Sequence, residues 1–230
     1  MDPINFTYDN FDYGILPRVT ISKCNFISNK ELSEFYFESG HAIELFYDHF
    51  TETDLIITNN CQFIDNCNIN NIGCVIYVLY MKEFLFENST MLFTDQNLST
   101  CGINFAFLSN INIRSSNFSN NGKYIESVYV GYGYINIYIS NDTIITNCIF
   151  YSSTSNEGSI AFHGYFVNPI NFIFLLENCF FYDCVGCCFY QYQGQANVIG
   201  MIHNCTFDNC SCHVRDNGYR NKYKWGILWR

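Results

Sequence analysis

Apolar and polar residues alternate in short stretches along most of this chain, and the alternation recurs with fixed punctuation. The unit reads apolar-x-apolar-x-Asn-Cys-x-Phe. Clear copies end in Asn147-Cys148-Ile-Phe150, Asn178-Cys179-Phe-Phe181 and Asn204-Cys205-Thr-Phe207. Earlier copies end in Lys23-Cys24-Asn-Phe26 and Asn60-Cys61-Gln-Phe63, and two degenerate ones in Asn88-Ser89-Thr-Met91 and Ser115-Ser116-Asn-Phe118. A period of two is strand periodicity, whereas helical repeats would place apolar residues at i, i+3, i+4 and i+7. The apolar position three before Cys and Cys itself differ by an odd number, so one straight strand cannot point both inward. A bend must lie between them. Asn occupies it and tolerates the left-handed conformation a tight bend needs.

The column counts show that the repeat is real. The Cys column holds Cys five times and Ser twice, and the last column holds Phe six times and Met once. Successive Cys-column positions are 37, 28, 27, 32, 31 and 26 residues apart, a spacing suited to one turn of a β-solenoid. The expected fold is all-β, a single-stranded parallel β-solenoid of about seven coils. Phe26, Phe63, Met91, Phe118, Phe150, Phe181 and Phe207 are predicted to stack in one inward column. Stacking would also bring the Asn amides within about 4.8 Å of one another as a buried ladder. A second landmark opens the next strand: Gly40-His-Ala-Ile43, Gly73-Cys-Val-Ile76, Gly158-Ser-Ile-Ala161 and Gly186-Cys-Cys-Phe189. A β-sandwich lectin is the competing fold, disfavoured because sandwiches pair antiparallel strands and carry no such columns.

Composition narrows the class. The 230 residues are 49% hydrophobic and 14% charged, which excludes a disordered chain. The net charge of −10 is uneven. Residues 209–230 carry five bases (Arg215, Arg220, Lys222, Lys224, Arg230) against Asp216, while the body is acidic, so no nucleic-acid partner is expected. The longest apolar run, Cys74 to Met81, is too short to span a bilayer, and residues 1–20 show no secretory signal. Residues 1–18 and 213–230 break the repeat. They are expected to be an N-terminal cap and a C-terminal cap, the latter alternatively the start of a truncated segment, around repeats at 19–212.

Five of the thirteen cysteines (Cys24, Cys61, Cys148, Cys179, Cys205) fall in the inward column and suit a ladder of small buried thiols, with disulfides between neighbours as the alternative. Cys184, Cys187, Cys188, Cys210, Cys212 and His213 cluster near the end; Cys184 and Cys187 have zinc-like spacing, and Cys210, Cys212 or His213 could complete four ligands. Cys184 and Cys210, however, each follow a Cys-column residue by five, so repetition explains them without metal. A hydrolase of this shape would need two carboxylates roughly 5–9.5 Å apart. Asp65 and Asp183 share the position two after Phe but lie four coils apart. Asp142 and Glu157, expected in loops, could converge with Glu126 or Glu177. His41, His49, His163, His203 and His213 form no recurring pattern. No catalytic, cofactor-binding or metal-binding residue is assigned. Sequons occur at Asn5, Asn88, Asn97, Asn117, Asn141, Asn204 and Asn209, of which Asn88 and Asn204 sit in the column expected to be buried.

The pairing of Phe-x-x-Asn (Phe26 to Asn29, Phe63 to Asn66, Phe118 to Asn121) with Gly40-His-Ala-Ile43 resembles the repeats of chlamydial polymorphic outer-membrane proteins. It equally resembles the β-helix surface families of parasitic protists. The resemblance covers about residues 19–212. It implies a right-handed, pectin-lyase-like β-helix serving as a surface-exposed, noncatalytic scaffold for adhesion or binding, with carbohydrate or a host or neighbouring protein as partner. The alternative in this fold is a polysaccharide lyase or glycoside hydrolase.

Overall fold

A computed structural model of the chain describes residues 4–7, 18–28, 30–31, 40–46, 54–68, 74–94, 101–120, 134–137, 140–153, 159–163, 171–184, 189–192 and 197–210. Among them there are strands, bends and no helix, and every strand pairing is parallel. The architecture is an all-β parallel solenoid with three faces.

The first face comprises Ile4–Thr7, Gly40–Phe46, residues 74–79, residues 101–106, Ile135–Ile137, Ile160–His163 and Phe189–Tyr192. The second comprises Arg18–Ser22, Asp54–Thr58, residues 81–87, residues 108–114, Ser140–Thr146, Asn171–Glu177 and Asn197–His203. Two long strands, Cys74–Glu87 and Cys101–Arg114, run through both faces and join them into one sheet. The third face is a separate seven-stranded sheet of three-residue strands: Asn25–Ile27, Gln62–Ile64, Thr90–Leu92, Asn117–Ser119, Ile149–Tyr151, Phe180–Tyr182 and Thr206–Asp208. Lys30–Glu31 pairs with Cys67–Asn68 beyond it.

The predicted column is the register of the third face. Phe26 pairs Phe63, Phe63 pairs Met91, and the series continues through Phe118, Phe150, Phe181 and Phe207. Rings stack at 4.8 Å for Phe26 and Phe63, 5.0 Å for Phe118 and Phe150, 4.7 Å for Phe150 and Phe181, and 4.9 Å for Phe181 and Phe207. These spacings equal the strand separation, so each ring continues the stack below it. All are buried except Phe207, which is half-buried on the last described strand.

Continuous turns are fewer than the sequence led us to expect. The chain runs through all three faces without a break longer than two residues in about three turns, 74–94, 101–120 and 134–153, not in seven. Elsewhere the connection from the first face to the second lies outside the described residues, and strand pairing alone carries the repeat. Ile4–Thr7, within the segment expected to cap the N-terminal end, pairs in parallel with Ile43–Phe46 on the first face. The expected C-terminal cap, 213–230, lies outside the described residues.

The corners are made as the odd spacing required. All seven Asn-column residues have positive φ, from 47° at Asn88 to 66° at Asn60, including Lys23 and Ser115 where Asn is missing. Burial of this column is corrected: Asn60, Asn88, Asn147 and Asn204 are exposed and Asn178 is half-buried. The reason is geometric. At a convex corner the backbone turns inward and the bend residue's side chain points to solvent. A second corner follows each Phe. Ser28, Asp65, Asn120, Ser152, Asp183 and Asn209 have φ between 48° and 60°. The second repeat has one extra residue at its first corner: Asn59 and Asn60 are both left-handed, and Ile57 rather than Thr58 pairs with Ile21. This insertion explains why Thr58, three before Cys61, is polar where the other copies of the repeat place an apolar residue.

The glycine landmarks lead into the first face, where Ile43 pairs Ile76 and Ile160 pairs Phe189. The copy after Gly158 is one residue short, so Ile160, not Ala161, holds the inward position. The first face is also buried on its outward side, at Tyr77, Leu79, Asn104, Asn136 and Ala161. A strand covered on both sides reads as a continuous apolar run, which is what Cys74 to Met81 is.

Candidate binding faces

The inward Cys column forms as predicted. Cys61, Ser89, Ser116, Cys148 and Cys179 are buried, and Cys24 and Cys205 half-buried. Cys24, Cys61, Cys148, Cys179 and Cys205 are free thiols. Each sits at the first corner and donates to backbone carbonyls. Cys61 Sγ donates to Thr58 O at 3.3 Å, Cys148 to Thr146 O at 3.2 Å, and Cys179 to Glu177 O at 3.3 Å and to Ile145 O of the preceding coil at 3.7 Å. Ser89 and Ser116 repeat the contact through Oγ, to Glu87 O at 2.8 Å and Arg114 O at 2.9 Å. A hydrogen bond with Cys148, and then burial, push the Cys179 thiol well above its ordinary value; burial raises Cys205 as well. The shift holds the Cys179 thiol protonated, as suits a packing group. Cys184 Sγ faces Phe150 O at 3.7 Å and Cys210 Sγ faces Phe181 O at 3.4 Å, the same inward position one coil apart at the second corner. Asn66 fills that position in an earlier coil, its Nδ2 donating to Phe26 O at 2.9 Å. Cys187, Cys188, Cys212 and His213 lie outside the described residues.

Among the described residues, the carboxylates singled out by the sequence do not gather. Asp65 and Asp183 sit at second corners four strands apart, roughly 19 Å at the strand spacing. Asp65 accepts from Thr94 N and Oγ1 at 2.5 Å, and Asp183 accepts from Asn209 Nδ2 at 2.6 Å. Asp142 is in the strand Ser140–Thr146, not in a loop, and pairs with Ile173. Glu177 lies four residues beyond that partner, which places their Cα atoms roughly 14 Å apart. Glu126, Glu157 and His49 lie outside the described residues. Of the remaining histidines, His41 and His163 are in first-face strands. His203 Nδ1 lies 3.1 Å from Glu177 Oε1.

What the fold does build is a set of outward columns. On the second face, charges pair between neighbouring coils: Arg18 Nη2 lies 3.2 Å from Asp54 Oδ2, and Arg114 Nε lies 2.7 Å from Glu87 Oε1. The latter is an ion pair whose N–H axis is misaligned for a hydrogen bond. Farther along, the same face turns apolar. On the third face one outward column runs Asn25, Gln62, Thr90, Asn117, then Ile149 and Phe180. Its neighbour carries Tyr151 and Tyr182, and the rings of Phe180 and Tyr182 stack at 6.2 Å. Amide ladders are local: Asn204 Nδ2 donates to Asn178 Oδ1 at 2.6 Å. The sequon residues Asn88, Asn117, Asn204 and Asn209 are exposed. No family model matches the chain, and searches of curated proteins and of solved structures return no match.

Proposed function

We propose that the chain is a noncatalytic scaffold, a right-handed pectin-lyase-like β-helix, that binds carbohydrate or protein at a surface through its third face. The observation that carries this reading is the shape and chemistry of that face. It is a parallel sheet whose outward amides and hydroxyls repeat at the strand spacing and give way to exposed Tyr151 and Phe180, 44% and 39% accessible. Repeating polar groups beside flat rings suit a repeating or extended ligand, since aromatic side chains offer contact area at low entropic cost. The separation of Asp65 from Asp183, roughly 19 Å, and of Asp142 from Glu177, roughly 14 Å, weighs against the lyase or hydrolase alternative.

The test is titration of the purified chain with soluble neutral and acidic polysaccharides, alongside binding of the labelled protein to cell surfaces before and after deglycosylation. Tyr151→Ala and Phe180→Ala are expected to weaken binding about 2- to 10-fold each. Binding that both variants leave intact would remove the third face from the reading. Release of unsaturated products or new reducing ends would replace the scaffold with the enzyme.

A further inference from the structure

The outward side of the second face changes character along the solenoid. One column begins Arg18, Asp54, Glu83, Asn110, Asp142 and ends in Ile173 and Ile199. The neighbouring column ends in Ile144, Leu175 and Met201. Accessibility rises toward the end, from 37% at Ile144 to 51% at Ile173, 65% at Ile199 and 62% at Met201. Paired in-register strands put these side chains side by side, about 4.8 Å apart along the axis and about 7 Å along the strand. Single exposed apolar residues need no explanation, but a contiguous patch of five on one sheet face does.

The rest of the chain supplies a matching occupant. We propose that residues 211–230 of the same chain dock on this patch, laying Trp225, Ile227, Leu228 and Trp229 across Ile173, Ile199 and Met201. Three observations carry the proposal. The described structure ends at Cys210, in the same coil as Ile199 and Met201. Only eleven residues separate Ile199 from Cys210, so the two lie at most about 39 Å apart, whereas the fifteen residues from Cys210 to Trp225 reach up to about 50 Å. Charge agrees. Five of the eleven bases and one of the 21 acids fall in 211–230, while Asp142 and Glu177 lie on the strands that carry the patch. A second copy of the same face would instead set acidic rim against acidic rim. The docking is independent of the third face and of the function proposed for it.

The experiment uses the full chain and its only two tryptophans, both in this segment, as the probe. Excited selectively over tyrosine, they are expected to emit to the blue of the urea-unfolded chain. Ile199→Asp with Met201→Asp is expected to move that emission to the red and raise acrylamide quenching, with the far-ultraviolet spectrum and melting of the solenoid retained. Met201→Asp alone repeats the test should the double variant not fold. Emission already red in the native chain overturns the proposal. So does emission that ignores the outward substitutions but shifts with inward Phe207→Ala, which would place the segment over the open end of the core. A blue shift that appears only at high protein concentration overturns it in favour of a second copy.

Discussion

At the scale of single residues, the most informative positions are those where the motif is broken and the structure is not. Ser89 and Ser116 stand in the Cys column and bond the carbonyl two residues back, as Cys148 and Cys179 do. The column therefore selects a small side chain with one weak donor, not sulfur chemistry. Cys179→Ser is expected to fold with a midpoint near that of the parent, and Cys148 and Cys179 to react with iodoacetamide only on unfolding. The pH dependence has a definite sign. The Cys179 thiol is held protonated in the folded chain above its ordinary value of 9.0, first by its bond with Cys148 and then by burial. Below that pH its contribution is fully present. Above it the unfolded chain releases the proton and the folded chain keeps it, so stability falls as pH rises. Thermal melts from pH 7 to 10.5 are expected to show a decline that Cys179→Ser reduces; an identical decline in the variant would assign the effect elsewhere. The sequence made this column visible because buried positions repeat. It hid the second corner, although Ser28, Asp65, Asn120, Ser152, Asp183 and Asn209 are all turn-formers at one offset from Phe. Two of them are carboxylates and invited a chemical reading before a conformational one.

At the scale of elements, corners and close contacts set the register. Asn147 holds φ at 55° and its N–H donates to Glu177 O at 3.0 Å. Asn147→Gly is expected to be nearly neutral and Asn147→Val to cost about 1–3 kcal/mol, because a β-branched residue resists that conformation. Gly102 enforces a different constraint. A Cβ there would collide with the carbonyl oxygen of Tyr134 and come within 2.8 Å of Met91 Sδ, so the long strand and the next coil close over hydrogen alone. Gly102→Ala is expected to cost about 1–3 kcal/mol by overpacking, read as a lower urea midpoint. Sequence spacing could not show this, since Gly102 lies outside the four glycine landmarks and its neighbour Tyr134 is 32 residues away. Nor could period-two alternation reveal that the first face is buried on both sides.

For the whole molecule, each described coil pairs only with the one before and the one after, so stability should vary with position along the axis. Phe118 is fully buried and its ring lies 5.0 to 5.7 Å from Phe86, Tyr134 and Phe150. Phe207 is half-buried and stacks on Phe181 at 4.9 Å. Phe118→Ala is expected to cost about 3–5 kcal/mol and Phe207→Ala distinctly less. Equal losses in calorimetry would mean that the last coil is closed over from beyond Cys210.

The parallel register also has a mechanical side. Backbone bonds between strands, such as Thr90 N to Cys61 O at 2.9 Å, and those at the corners, such as Asn88 N to Arg114 O at 3.2 Å, all link one coil to the next. They lie along the long axis of the solenoid, perpendicular to the strands. Tension applied between the two ends would load one coil boundary after another and peel the turns apart like a zipper. A load applied across the axis would be shared in shear by a whole ladder of bonds at once. Such a rod gives way easily when stretched lengthwise and resists being pulled sideways, which suits an object gripped along its flank rather than hung from its ends.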